Sequence, residues 1–255
     1  MPGLLLCWPA LCQSVDLQVI VKRATAALRS DWAADANYAF VERDETRKGG
    51  KTSSYSFESV IIDGSDYRLP VAVDDQPVSP ERRRFNLGKL RAEVERRKTE
   101  SPAERARRIA KWRKQRDENG EMMLDFPTAF TFRPVGEETR DGHAAWVLEG
   151  TPKPGAPRTT LDQKVLAGMR GTAWVEKATF HPIFVKCEVE RPIPLYGSLA
   201  SVLPGTQIEI GMTPVDDATW LIDLVSMNLD VSKLHLFKSA QATRTIWMLI
   251  RAKRH

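Results

Sequence analysis

The sequence has no apolar run approaching the roughly 20 residues that a membrane-spanning helix needs, which excludes an integral protein of the helical type. Cysteine is scarce: Cys7, Cys12 and Cys187 are the three present, and none forms a Cys-x-x-Cys unit. The four histidines, His143, His181, His235 and His255, are dispersed with no pair at ligand spacing, so no metal site is expected. Catalytic motifs are missing as well. Ser198 lies in YGSLASV without the second glycine of a nucleophile elbow, and GMRGT (168–172) lacks the lysine and spacing of a phosphate loop. The acid pairs Glu137-Glu138 and Asp216-Asp217 are adjacent in turns, where neighbouring side chains point apart and do not suit paired acid–base work. Asp16, Asp31 and Asp35 read as helix caps and loop acids, and His181, just before Pro182, as a turn residue. No residue set carries an enzyme mechanism or a cofactor, so a non-enzymatic protein is expected.

The 255 residues are 42% hydrophobic and 28% charged, values of a globular chain long enough to bury a real core. The net charge of +5 is unevenly placed. Residues 81–120 hold 15 Lys/Arg against 7 Asp/Glu, while the rest of the chain is slightly acidic. Any attraction to an anionic partner must therefore rest on that one segment. The segment carries no aromatic stacking platform, which argues against nucleic acid. It fits either a solvated, ion-paired helix face or contact with anionic headgroups, with Arg105, Arg108 and Lys111 the candidate contacts.

At the start, LLLCWPAL (4–11) is a short apolar stretch, and Ala10 and Cys12 stand at −3 and −1 to a cut before Gln13. That pattern reads residues 1–14 as an export signal, although Met1-Pro2-Gly3 supplies no basic residue. The expected location is the periplasm or the outer membrane.

Leu17, Ile20, Val21, Ala24 and Leu28 recur at helical spacing, predicting a helix over 15–29 capped by Asp16. From Asn37 the period changes to two. Strands are expected at NYAFVERD, TSSYSFESVII and YRLPVAV, separated by turns at TRKGGK and Asp63-Gly64. Ser79-Pro80 and Ser101-Pro102-Ala103-Glu104 are helix starts, predicting helices over 80–99 and 102–118, the second ending at Asn119-Gly120. Glu93–Arg97 and Glu104–Arg108 are spaced to pair along them. The remainder alternates: AFTFRP and AAWVLEGTP around Asp141-Gly142, GTAWVEK, IFVKCEVERP, TQIEIGM, TWLIDLVSMNLDV and a last run ending near 250. In IFVKCEVERP, Ile183, Val185, Cys187 and Val189 face one way and Lys186, Glu188 and Glu190 the other. One domain over 15–255 is expected, α+β but mostly β. It would be a large curved antiparallel sheet, an unclosed barrel, with an N-terminal helix and a charged helical insertion at 80–118.

The order NYAFVERDE, DGSDYRLPVAVDDQPVSPE, ESPAERARRIAKWRK, GEETRDGHAAWVLEGTPKP and KVLAGMRGTAWVEKATFHPIFVKCEVERP resembles the bacterial outer-membrane lipoprotein-sorting (LolA/LolB-like) envelope proteins over about residues 15–235. The best-marked piece is GMRGTAWVEKATFHPIFVKCEVE. Two places depart from that pattern: Asp74-Asp75 stands where Asp-Gly is expected, and QATRTIWMLIRAKRH does not look like the family's closing strand. The resemblance implies an open sheet with helices across its concave side and room for acyl chains between them. Phe57, Trp146, Trp174, Val185, Ile208 and Leu224 are the positions expected to line that space. Lipid or lipoprotein is then the expected ligand. The alternative is an envelope interaction or sensor module whose core is filled, because alternation shows one apolar face without showing what covers it.

Overall fold

The computed structural model describes residues 16–155, 158–195, 200–233 and 237–252. The export signal expected at 1–14, Ser198, His235 and His255 lie outside the described residues. Helix α1 spans Leu17–Asp35 and starts where expected: the Asp16 carboxylate accepts the Gln18 amide at 3.0 Å. It runs six residues beyond the predicted end, so Asp31 and Asp35 are helical rather than loop acids.

Strands β1 (Tyr38–Lys48), β2 (Lys51–Ile62), β3 (Ser65–Val73) and β4 (Gln76–Pro77) form a meander. Its hairpins turn on Gly49-Gly50, Asp63-Gly64 and Asp74-Asp75, all with positive φ at both central residues. This geometry matches the right-handed twist of the flanking strands. At Asp74-Asp75, without glycine, side chains hold the strained turn. Asp74 accepts the Ser54 amide, the Ser54 hydroxyl accepts the Asp75 amide, and Arg43 grips the Asp75 carboxylate with two bonds of 2.7 and 2.8 Å.

Helices α2 (Pro80–Lys98) and α3 (Pro102–Ala129) follow. Ser79 caps the first, and Ser101 with Glu104 forms a capping box on the second. The predicted stop at Gly120 is overturned: α3 continues for nine more residues. Gly120 is there for contact, since a Cβ at this position would collide with the Trp32 ring of α1. Among the described residues no helix is long and apolar enough to cross a membrane.

The remaining elements are β5 (Phe130–Arg140), β6 (His143–Pro152), α4 (Leu161–Leu166), β7 (Met169–Glu176), β8 (Pro182–Val189), β9 (Ile193–Leu195), β10 (Ala200–Val202), β11 (Gln207–Pro214), β12 (Trp220–Lys233) and β13 (Phe237–Ala252). All strands join one antiparallel sheet in the order β4-β3-β2-β1-β13-β12-β11-β8-β7-β6-β5, with β10 pairing β12 and β9 pairing β10. The sheet does not close, because its two edges, β4 and β5, do not pair. The terminal segment that departs from the family pattern is no edge: β13 sits mid-sheet between β1 and β12. Helix α3 touches β3 near one edge and β5 at the other, and α1 packs on α3, β5, β8 and β12. The two helices thus span the mouth of the open sheet.

Candidate functional site

Between this helix pair and the sheet lies an apolar chamber of about 60 Å³. Its floor is built by alternation. Leu148 on β6, Ala173 and Val175 on β7, Val185 and Cys187 on β8, and Ile208 and Ile210 on β11 share one face. Val21, Ala24 and Leu28 of α1 and Met123, Phe126 and Pro127 of α3 form the roof. Pro127 has no amide hydrogen to give its own helix, so the last turn of α3 is loosened where it covers the chamber. Gly171 lets the Phe126 ring press directly on the sheet, where a Cβ would strike it. Among the described wall residues only Thr25 carries a hydroxyl, and it is spent on the Val21 carbonyl at 2.7 Å. Burial pushes the Cys187 thiol up to about 12, so it behaves as an apolar group rather than a nucleophile. Among the described residues the chamber offers a ligand no free side-chain donor and no charge, which suits an apolar group.

Ile208, Ile210 and Met123 also line a wider vestibule of about 430 Å³, which extends the chamber toward β1 and β2. Here the walls change character. Phe40, Ile61, Trp112 and Trp247 are joined by Glu42, Asp66, Arg68, Asp35 and Arg116. Arg68 reaches Glu42 at 3.0 Å and Asp44 at 2.8 Å. Burial, together with the neighbouring carboxylate of Asp44, outweighs Arg68 and raises Glu42 to about 7. Burial also raises Asp35, although Arg116 lies 3.2 Å away. Arg116 bonds the Trp32 carbonyl and lies 4.5 Å over its ring, fixing the lip between α1 and α3. The hollow therefore runs from a dry apolar end to a charged, aromatic mouth.

The six expected lining residues separate into three groups. Val185 and Ile208 are in the chamber wall. Phe57 and Trp146 share the helix-covered face but stand outside the chamber. Phe57 lies opposite Glu42 with Arg68 4.2 Å over its ring, and Trp146 lies opposite Val175 and packs on Phe180. Trp174 and Leu224 face the other side of the sheet. Trp174 meets Phe184 edge to face beneath Arg140, and Leu224 lies opposite Gly211. The aromatic mouth, Trp32, Trp112 and Trp247, was not singled out in the sequence, where isolated tryptophans carry no periodic signal.

The three basic candidates also differ. Lys111 is exposed with no acidic partner within 4.0 Å among the described residues, and Arg105 lies 3.9 Å from Asp63. Arg108 is not a free cation. It grips Glu100 with bonds of 2.7–3.0 Å and donates to the Ser65 hydroxyl and the Asp63 carbonyl. The expected Glu104–Arg108 pair is replaced, because Glu104 is occupied by Ser101. The Glu93–Arg97 pair does form, at 2.6 Å. Asp31 is buried, accepts the Trp220 amide at 3.1 Å and lies 3.5 Å from His181, whose ring stacks on Trp220. His181 is thus part of a buried clasp between α1 and the sheet.

No protein-family model and no curated protein sequence matches the chain. Solved structures do match. A putative outer-membrane lipoprotein-sorting protein domain from Vibrio parahaemolyticus is 12% identical, with 92% of this chain and 95% of that one covered and a TM-score of 0.34. A LolA superfamily protein from Nitrosomonas europaea is 10% identical, with 92% of each chain covered and a TM-score of 0.37. A chain of the Pseudomonas aeruginosa MucA/MucB complex is 11% identical, with 90% of this chain and 95% of that one covered and a TM-score of 0.24. The first two carry the names of the group that the sequence resembles.

Proposed function

We propose that the hollow takes the acyl chain of a lipid or lipoprotein, and that the protein is a non-enzymatic carrier or receptor of the cell envelope. In this reading residues 1–14 are removed on export and 15–255 act as one unit. The observation that carries it is the gradient along the hollow. A chamber without a free polar group continues into a mouth lined by tryptophans, Glu42, Arg68 and Arg116, which is the polarity profile of an acyl chain joined to a headgroup. Affinity would come from burying apolar surface, at about 25 cal/mol per Å². The chamber alone holds only a few methylenes, so a longer chain lies mainly in the vestibule or displaces the end of α3 at Pro127.

That small volume is also what favours the second reading, an interaction module whose core needs no ligand. Lipid extraction of protein exported with a working signal, followed by mass spectrometry, separates the two. Acyl lipid is expected from wild type and in reduced amount from Ala173→Phe, which fills the chamber floor but leaves the vestibule open. Protein free of lipid that also ignores a fluorescent fatty acid leaves the interaction module standing.

A further inference from the structure

The outward face of α2 is built differently from the rest of the basic segment. Every cation in its last turn is paired: Arg96 with Glu93 and Glu100, Arg97 with Glu93, Lys98 with Glu95. Over its first twelve residues Arg82, Arg83, Arg84, Lys89 and Arg91 are exposed and have no acidic partner within 4.0 Å among the described residues, Arg83 standing off to one side of the others. Their spacing is ordered. Residues seven apart share a stripe along a helix. Arg82 and Lys89 form one stripe and Arg84 and Arg91 another, and Phe85, Gly88 and Ala92 lie between the two, with the exposed acids Glu81 and Glu95 at the ends of that strip. The opposite side of the helix is spoken for: Asn86 is buried and donates to the Pro70 carbonyl at 3.1 Å, and Arg97 is buried on the same side. Phe85 is 51% exposed although it is a large apolar residue, and Lys89 and Arg82 stand 4.7 and 5.4 Å from its ring centre.

We propose that this face is a docking surface for an anionic lipid bilayer, with the four cations on lipid phosphates and Phe85 inserted between headgroups. Unpaired cations around one exposed ring supply the electrostatic attraction that holds a basic surface at anionic headgroups, with the ring reaching in between them. An acidic protein would use the charges but leaves the exposed ring without a role, which favours the bilayer. The assignment does not depend on what the hollow holds.

The test is co-sedimentation of the full chain with vesicles of phosphatidylcholine alone or of phosphatidylcholine and phosphatidylglycerol at 3:1. Wild type should sediment with the anionic vesicles only, less so at 1 M salt. Each lost cation should weaken binding about fivefold, so Arg84→Gln with Arg91→Gln should give roughly 25-fold. Phe85→Ser should also weaken it. All these side chains are exposed, so circular dichroism should confirm that each variant folds. No sedimentation of wild type at low salt overturns the assignment, as does equal binding by the Arg84/Arg91 variant. Binding to polyglutamate but not to vesicles overturns it in favour of an acidic partner.

Discussion

The elbow between α2 and α3 should depend on one side chain, Arg97. Its guanidinium is 5% exposed and donates to the carbonyls of Ile62, Ser65 and Asp66 and to the Ser65 hydroxyl at 2.6–3.0 Å, while its Nε holds Glu93. Arg97→Ala would strand three carbonyls that lose this donor together, and would leave Glu93 with Arg96 alone. Removing one partner of a buried, hydrogen-bonded ion pair costs about 3–5 kcal/mol. At about 2–4 °C per kcal/mol for a domain of this size, the thermal midpoint should fall by roughly 6–20 °C. Scanning calorimetry measures that shift. Arg105→Glu with Lys111→Glu is the control, and exposed changes of this kind move stability by about 0.5 kcal/mol or less each. Arg97→Lys should recover little, since an ammonium cannot reach all these acceptors from one position. If Arg97→Ala melts within 2 °C of wild type, the elbow is not docked on the β2–β3 hairpin through this arginine. Polar docking of α2 is then refuted.

Other expectations follow from the same contacts. Glu42 is raised to about 7 when folded against an ordinary 4.5, so its contribution to stability is fully present below about 4.5 and is lost as pH rises through about 7. Glu42→Gln should flatten that part of a melting-temperature profile taken from pH 4 to 8. Glu93 runs the other way. Hydrogen bonds from Arg96 hold it near 2, so its contribution is present above 4.5 and is lost as pH falls toward 2. Val185→Asp puts an unpaired carboxylate into the chamber wall and should cost several kcal/mol in urea unfolding. Lys186→Asp, on the opposite face and facing Glu209 across β11, should cost about 1 kcal/mol or less. Gly120→Ala should destabilise despite alanine's better helix propensity, because its methyl group meets Trp32. A gain in stability would mean that α1 and α3 are not in close contact there.

Much of the sheet was legible because its signals are local. Asp63-Gly64 and Asp141-Gly142 mark two-residue hairpins, and Val185-Lys186-Cys187 states its two faces by alternation. Legibility ended where one local rule had two physical meanings. Gly120 read as a helix stop because glycine is permissive, whereas the fold uses its missing side chain. Leu224 was expected to line the hollow, and it does not. A register shift leaves Asp223 between them without a partner on β11, so Ile222 lies opposite Met212 on the hollow side and Leu224 opposite Gly211 on the other. Arg97 and Arg108 looked like surface charge, since nothing in a helix's own sequence announces the carbonyls of a distant hairpin. The hollow was legible only as one apolar sheet face. Its roof required knowing that α3 crosses from one edge of the sheet to the other.

The place of β13 bears on how the chain reaches this structure. Tyr38 lies opposite Ala252, so the first strand and the last described one are neighbours, and both halves of the sheet hang on that seam. During synthesis the β1–β4 meander and the β5–β12 region can each begin to collapse, but neither has its partner edge until β13 has emerged. For that interval β1 and β12 expose unpaired backbone, the kind of edge that recruits strands from other chains. Loop closure over more than two hundred residues makes this pairing intrinsically slow. Deleting 237–252 should therefore yield an aggregating chain rather than a slightly smaller soluble one, and a chaperone that shields strand edges should be needed most in the seconds before β13 inserts.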